Sequence, residues 1–272
     1  MIIPYITTQE QKIPKLFYQF RFLNRTHVQK LFNHKDKRRI NAWLKDLTLK
    51  NYIVAVENDY FENSDLGFVN KQSRPLIYHL GINGIRFLKT QDGVDKKFLH
   101  KFYRENKRSD EFIVQSLLLA DIYLQLLSDT TPADTMTFYT KSDYSLADSK
   151  YNFLKELSPN AYIARRKSKG NTKQYLLHIV PESMLRTRSY LLHKVIKGYF
   201  ELYFSSEWED QTKTAFPTLL FILPDMGALI RLQRYLQNKL NENDHPKIHF
   251  WLATRKQIMQ QGFTNMDWEE VD

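Results

Sequence analysis

Arg38, Ala42 and Lys45 fall on one side of a helix turning 100° per residue, and Arg39 and Asn41 lie on its flanks. These residue types suit a nucleic acid. Cations neutralise phosphates, an amide and a guanidinium read base edges, and a small central residue lets the backbone approach. Arg25, Thr26, Lys35 and Lys37 precede them, and Lys71 and Arg74 follow in a polar stretch. These are the expected DNA contacts of the first half of the chain. A second cluster, Arg165, Arg166, Lys167 and Lys169, with Lys173 close behind, crowds one turn. It can grip phosphates, although a solvated turn has the same composition.

Other chemistry finds little support. The chain has no cysteine, which excludes disulfides, thiolate catalysis and the usual structural zinc ligands. No phosphate-cradling glycine loop, dinucleotide fingerprint, zinc-protease helix or nucleophile elbow occurs. His245 and His249 are four apart, but Pro246 and the strand-like KIHFWL argue against a helical metal pair. His27 and His34 read as ordinary surface or turn residues. Tyrosine is plentiful at 16 residues, but none stands beside a histidine-rich cluster.

The cations need elements to hold them. Ile40, Trp43, Leu44 and Leu47 form the opposite, apolar stripe of a helix from Lys37. Asn51 suits its left-handed stop. The helix before it is capped by Thr26 or Asn24, buries Val28, Leu31 and Phe32, and ends in the turn Asn33-His34-Lys35. YIVAV and LIYHL read as two strands joined by an exposed loop. An earlier helix, capped by Thr7 or Thr8, runs to about Phe20. Together these make a winged helix-turn-helix.

Charge separates the two halves. Residues 1–108 carry 21 Lys/Arg against 10 Asp/Glu, whereas residues 109–272 carry 19 against 20. A polyanion partner for the first half follows. The expected layout is a winged helix over 1–95, a charged linker over 96–109 and an α/β domain over 110–272. In that domain FIVQSLLLADIYLQLL is a buried helix or a dimer seam, and TMTFYT is a strand. AYIARR and QYLLHIV form a hairpin turning at Gly170-Asn171, and SMLRTRSYLLHKVIKGYFELYF is one long helix. TLLFIL, MGALIRLQRYLQNKL and KIHFWLA make a βαβ unit, and the acidic tail frays. No apolar run approaches 18 residues and the N-terminus lacks a signal-like pattern, so a cytoplasmic protein without a membrane partner is expected.

FLNRTHVQKLF, RRINAWLKDLTLKNYI and LIYHLGINGIRFL at this spacing resemble the bacterial plasmid replication-relaxation family. The resemblance implies a winged helix followed by a restriction-endonuclease-like domain, α/β in class and α+β overall. In such nucleases an Asp on one strand and an acid on the next, with a Lys two residues on, hold Mg²⁺. The corresponding places here hold Pro159-Asn160 and His178-Ile179-Val180. The resemblance therefore carries over no catalytic residue, no metal ligand and no cofactor. Asp143, Asp148, Glu156 and Glu182 are the acids near enough in sequence to substitute. The expected function is non-enzymatic, site-specific binding of double-stranded DNA in plasmid replication, relaxation or transfer. A homodimer, or replication and conjugation proteins, are the further partners to expect. A winged-helix transcriptional repressor and a metal-dependent nuclease are the alternatives.

Overall fold

The structure, a computed structural model, describes residues 3–56, 75–146, 148–168, 170–244 and 246–271. The protein is mixed α/β, with a three-stranded and a six-stranded sheet. It divides into two compact units, Met1–Leu124 and Gln125–Asp272.

The first unit runs α1 (Lys12–Phe20), β1 (Leu23–Asn24), α2 (Arg25–Leu31), α3 (Lys37–Leu49), β2 (Ile53–Val56), β3 (Ile77–Leu80) and α4 (Ile82–Leu88). Its sheet has the order β1-β3-β2, antiparallel throughout. Helix α3 starts at Asp36, whose carboxylate accepts the backbone N–H groups of Arg38 (2.8 Å) and Arg39 (3.4 Å). It buries Ile40, Leu44 and Leu47, while Trp43 is half-buried against the rings of Phe32 and His34. It stops where expected, with Asn51 left-handed at φ 55°.

Of the two expected caps of α2, Asn24 is the one used: it accepts from His27 N–H, and the His27 ring accepts from the Asn24 N–H. Helix α1 begins at Lys12 rather than after Thr7 or Thr8, because Glu10 holds the Thr7 N–H and hydroxyl in a separate turn. His27 is also not a surface residue. It is buried, with Nε2 3.0 Å from Asp121.

The expected linker is packed structure. Residues 96–107 form α5 (Lys96–Leu99) and a 3₁₀ helix (His100–Lys107), with Phe98, Leu99 and Phe102 buried. The fully buried Glu105 carboxylate accepts from Arg21, whose guanidinium lies 4.3 Å from the Phe102 ring centre. The many cations masked an apolar set spaced one and four apart. Helix α6 (Asp110–Ser128) follows, and the boundary between the units falls inside it rather than before it. Among the described residues α6 is the one helix long and apolar enough to cross a membrane. Its Ile113, Val114 and Leu117 pack with Phe22 and Ile77 in the core of the first unit.

The second unit carries β4 (Thr135–Thr140), the short helix α7 (Lys141–Tyr144), β5 (Ala161–Arg166), β6 (Lys173–Ile179), α8 (Glu182–Arg186), α9 (Ser189–Phe204) and α10 (Glu207–Thr212). It closes with β7 (Thr218–Leu223), α11 (Met226–Glu242), β8 (Phe250–Thr254), α12 (Arg255–Gln261) and β9 (Glu269–Val271). The sheet order is β4-β5-β6-β7-β8-β9, with β6, β7 and β8 parallel and the outer pairs antiparallel. The continuous apolar run of β7 is buried on both faces, as a central parallel strand must be. Leu192, Ile196 and Tyr199 of α9 and Leu229, Leu232 and Leu236 of α11 pack in one core with Leu219 and Phe221. The expected single long helix is broken into α8 and α9 at Arg188, which has φ −138°. The tail is not frayed: Val271 is buried and pairs with Phe250, making β9 an edge strand.

Candidate nucleic-acid interface

The outward face of α3 is where the spacing placed it. Lys37, Arg38, Arg39, Asn41, Ala42 and Lys45 are all exposed, as is Lys35 in the preceding turn. Among the described residues, none of these cations forms an ion pair. Cations elsewhere do: Arg186 pairs with Glu182, Lys197 with Glu201, and Lys239 with Glu242. Cations without a carboxylate partner keep their full attraction for a polyanion. Arg25 and Thr26 are half-buried at the start of α2, and Arg25 donates to the Gln29 side chain at 3.1 Å. Lys71 and Arg74, with the expected loop between the strands, lie outside the described residues.

A cleft of about 470 Å³ opens beside this face. Its described lining comes from Asn41, Lys45, Thr48 and Leu49 of α3, from Ala55, Leu76 and Tyr78 in and beside β2 and β3, and from Arg25 of α2. Ala55 and Tyr78 are direct cross-strand partners. Burial pushes the Tyr78 phenol up from its ordinary range, and the nearby Arg25 charge opposes that rise. Leu49 is 74% exposed and Leu76 46%. None of Thr48, Leu49, Ala55, Leu76 and Tyr78 was expected as a site residue. Only the Ala55–Tyr78 register brings them together, and local periodicity does not reveal register.

The second basic cluster separates. Arg165 is 13% exposed and turned inward: its guanidinium donates to Asp129 Oδ2 at 2.5 Å and lies 3.9 Å from Asp134. It braces β5 and is not free to bind phosphate. Arg166, Lys167 and Lys173 are exposed, and Lys169 lies outside the described residues.

The places of the absent acids are filled by structural contacts. The Asn160 side-chain oxygen accepts the Ile179 N–H at 2.8 Å, tying β5 to β6. His178 is buried, stacks on Phe221 and lies 2.5 Å from the Tyr199 hydroxyl. Loss of solvation, with the Lys141 charge adding to it, holds the imidazole down at about 3, so it is neutral near pH 7. Asp143 is spent on the α7 capping box, accepting the Thr140 N–H at 2.6 Å, and burial raises its carboxyl from the usual range. Glu182 pairs with Arg186, and Asp148 and Glu156 are exposed. Among the described residues no three His, Asp or Glu side chains are grouped to hold a metal ion. His249 is exposed on the approach to β8, and His245 lies outside the described residues.

Compared with protein-family models, characterised proteins and solved structures, the chain matches none.

Proposed function

We propose that this chain is a site-specific, double-stranded DNA-binding protein of a mobile genetic element. It acts in the cytoplasm without catalysing a reaction, in replication, relaxation or transfer. The observation that carries this reading is the α3 face: Lys37, Arg38, Arg39 and Lys45 are exposed, without carboxylate partners among the described residues, around Asn41 and Ala42. In this reading α2, the turn at Asn33 and α3 are a helix-turn-helix, and the β1-β3-β2 sheet is the base of a wing. Helix α3 enters the major groove. Arg38 and Lys45 contact phosphates, and Asn41 is placed for a base edge.

The order of three antiparallel strands, helices and then a parallel strand supports a restriction-endonuclease-like origin for the second unit. So does the resemblance to the replication-relaxation family. Its cleavage site would have been replaced by Asn160 and His178, which serve the fold. The test is footprinting on the DNA that surrounds the gene, with Mg²⁺ and Mn²⁺ present. A discrete protected tract with no strand breaks is expected. Nicks that disappear on changing Asp143, Asp148, Glu156 and Glu182 to amides would make the protein an enzyme.

A further inference from the structure

The apolar part of the cleft beside α3 does not suit an intact duplex. A stacked base pair offers a groove only its edges, and those edges call for polar groups. Among the described residues of the cleft's lining, Leu49, Ala55, Leu76 and Tyr78 make an apolar and aromatic part beside the polar Asn41 and Thr48. Its volume, about 470 Å³, is in the range of sites that enclose a small molecule. Among the described residues of its lining the charged ones are Arg25, at the start of α2, and Lys45, on α3. Exposed Leu49 and Leu76 add apolar surface directly beside the cationic face. An apolar peptide would leave both cations without a counter-charge. A nucleotide uses everything present: a flat face for the aromatic ring, an edge for an amide, and phosphates on either side for the cations.

From this geometry we infer that the cleft receives one unpaired nucleotide of the bound DNA, its base stacked on Tyr78 and its flanking phosphates held by Arg25 and Lys45. Asn41, four residues before Lys45 on the same helix, offers an amide donor and acceptor to the edge of that base. Ala55 is required to be small because it sits directly opposite Tyr78 and leaves the space above the strand pair open. The preferred DNA is therefore a duplex with an extruded or looped-out nucleotide, since unstacking is least costly where pairing is already broken. This inference rests on the DNA-binding reading and specifies the form of DNA recognised.

The experiment uses the full chain and two DNAs of identical sequence. One is a perfect duplex, and the other carries a single extrahelical 2-aminopurine. The bulged duplex is expected to bind about tenfold more tightly, as stacking one base on an aromatic side chain allows. Its 2-aminopurine emission should fall on binding. Ala55→Leu, which fills the cleft, and Tyr78→Leu, which removes the ring, should each abolish the preference, so that bulged and perfect duplexes bind alike. Equal affinity for the two DNAs with unchanged emission overturns the cleft assignment and leaves the α3 reading standing. No binding to either DNA overturns both.

Discussion

Gly84→Ala is expected to destabilise the first unit by about 3 kcal/mol, the upper end of the cost of overpacking. A Cβ at Gly84 would stand 2.2 Å from the Tyr52 carbonyl oxygen, and one at Gly81 2.4 Å from that of Asn51. Neither obstacle is a flexible side-chain tip. The N-terminus of α4 is pinned to the end of α3: Gly81 N–H donates to Tyr52 O at 2.8 Å, Asn83 N–H to Asn51 O at 2.9 Å, and the Asn83 amide to Lys50 O at 2.8 Å. Relieving the overlap means breaking these bonds, and with them the seat that orients α3. Denaturant melting of Gly84→Ala against the parent chain measures the cost. A change below about 0.5 kcal/mol, the range of an unremarkable surface substitution, would contradict the close approach.

Acid is expected to unfold the second unit through His178. Its folded value, about 3, is below the ordinary 6.5, so between those values the unfolded chain binds a proton that the folded chain refuses. The stabilisation is complete above pH 6.5 and is lost as the pH falls toward 3, at about 1.4 kcal/mol per pH unit. Across that window it amounts to about 5 kcal/mol. His178→Gln removes the titrating group and is expected to flatten this part of the pH–stability curve. Stability curves of the two proteins that run parallel from pH 7 to pH 4 would show that His178 is solvated or charged in the fold.

Local signals were legible where a single helix or strand decides them. The α3 stripe, the Asn51 stop and the run of β7 follow from periodicity and from the conformations that particular residues tolerate. What was not legible depends on residues far apart. Arg21 meets Glu105 across 84 positions, which turns an apparent linker into core. Arg165 meets Asp129 across 36, which removes a cation from a surface cluster. The edge strand β9 is three residues long, too short for a period to show, and is held by its pairing with β8 and by Val271 in the core. The cationic half of the candidate site could be read from sequence because one helix carries it. The apolar half could not, since α3 contributes Leu49 while two strands and their register contribute Ala55, Leu76 and Tyr78.

The central claim is that the outward face of α3 holds DNA, and a salt titration of binding tests it most directly. Affinity for a duplex containing the footprinted site is measured at several salt concentrations for the parent chain and for the Arg38→Ala/Lys45→Ala double variant. Both side chains are exposed and lie opposite the buried Ile40, Leu44 and Leu47, so the variant should fold normally. If both cations neutralise phosphates, the slope of log K against log salt falls in magnitude by about 2 and binding weakens at every concentration. A folded double variant whose affinity and slope both match those of the parent chain would place the DNA elsewhere and contradict the account.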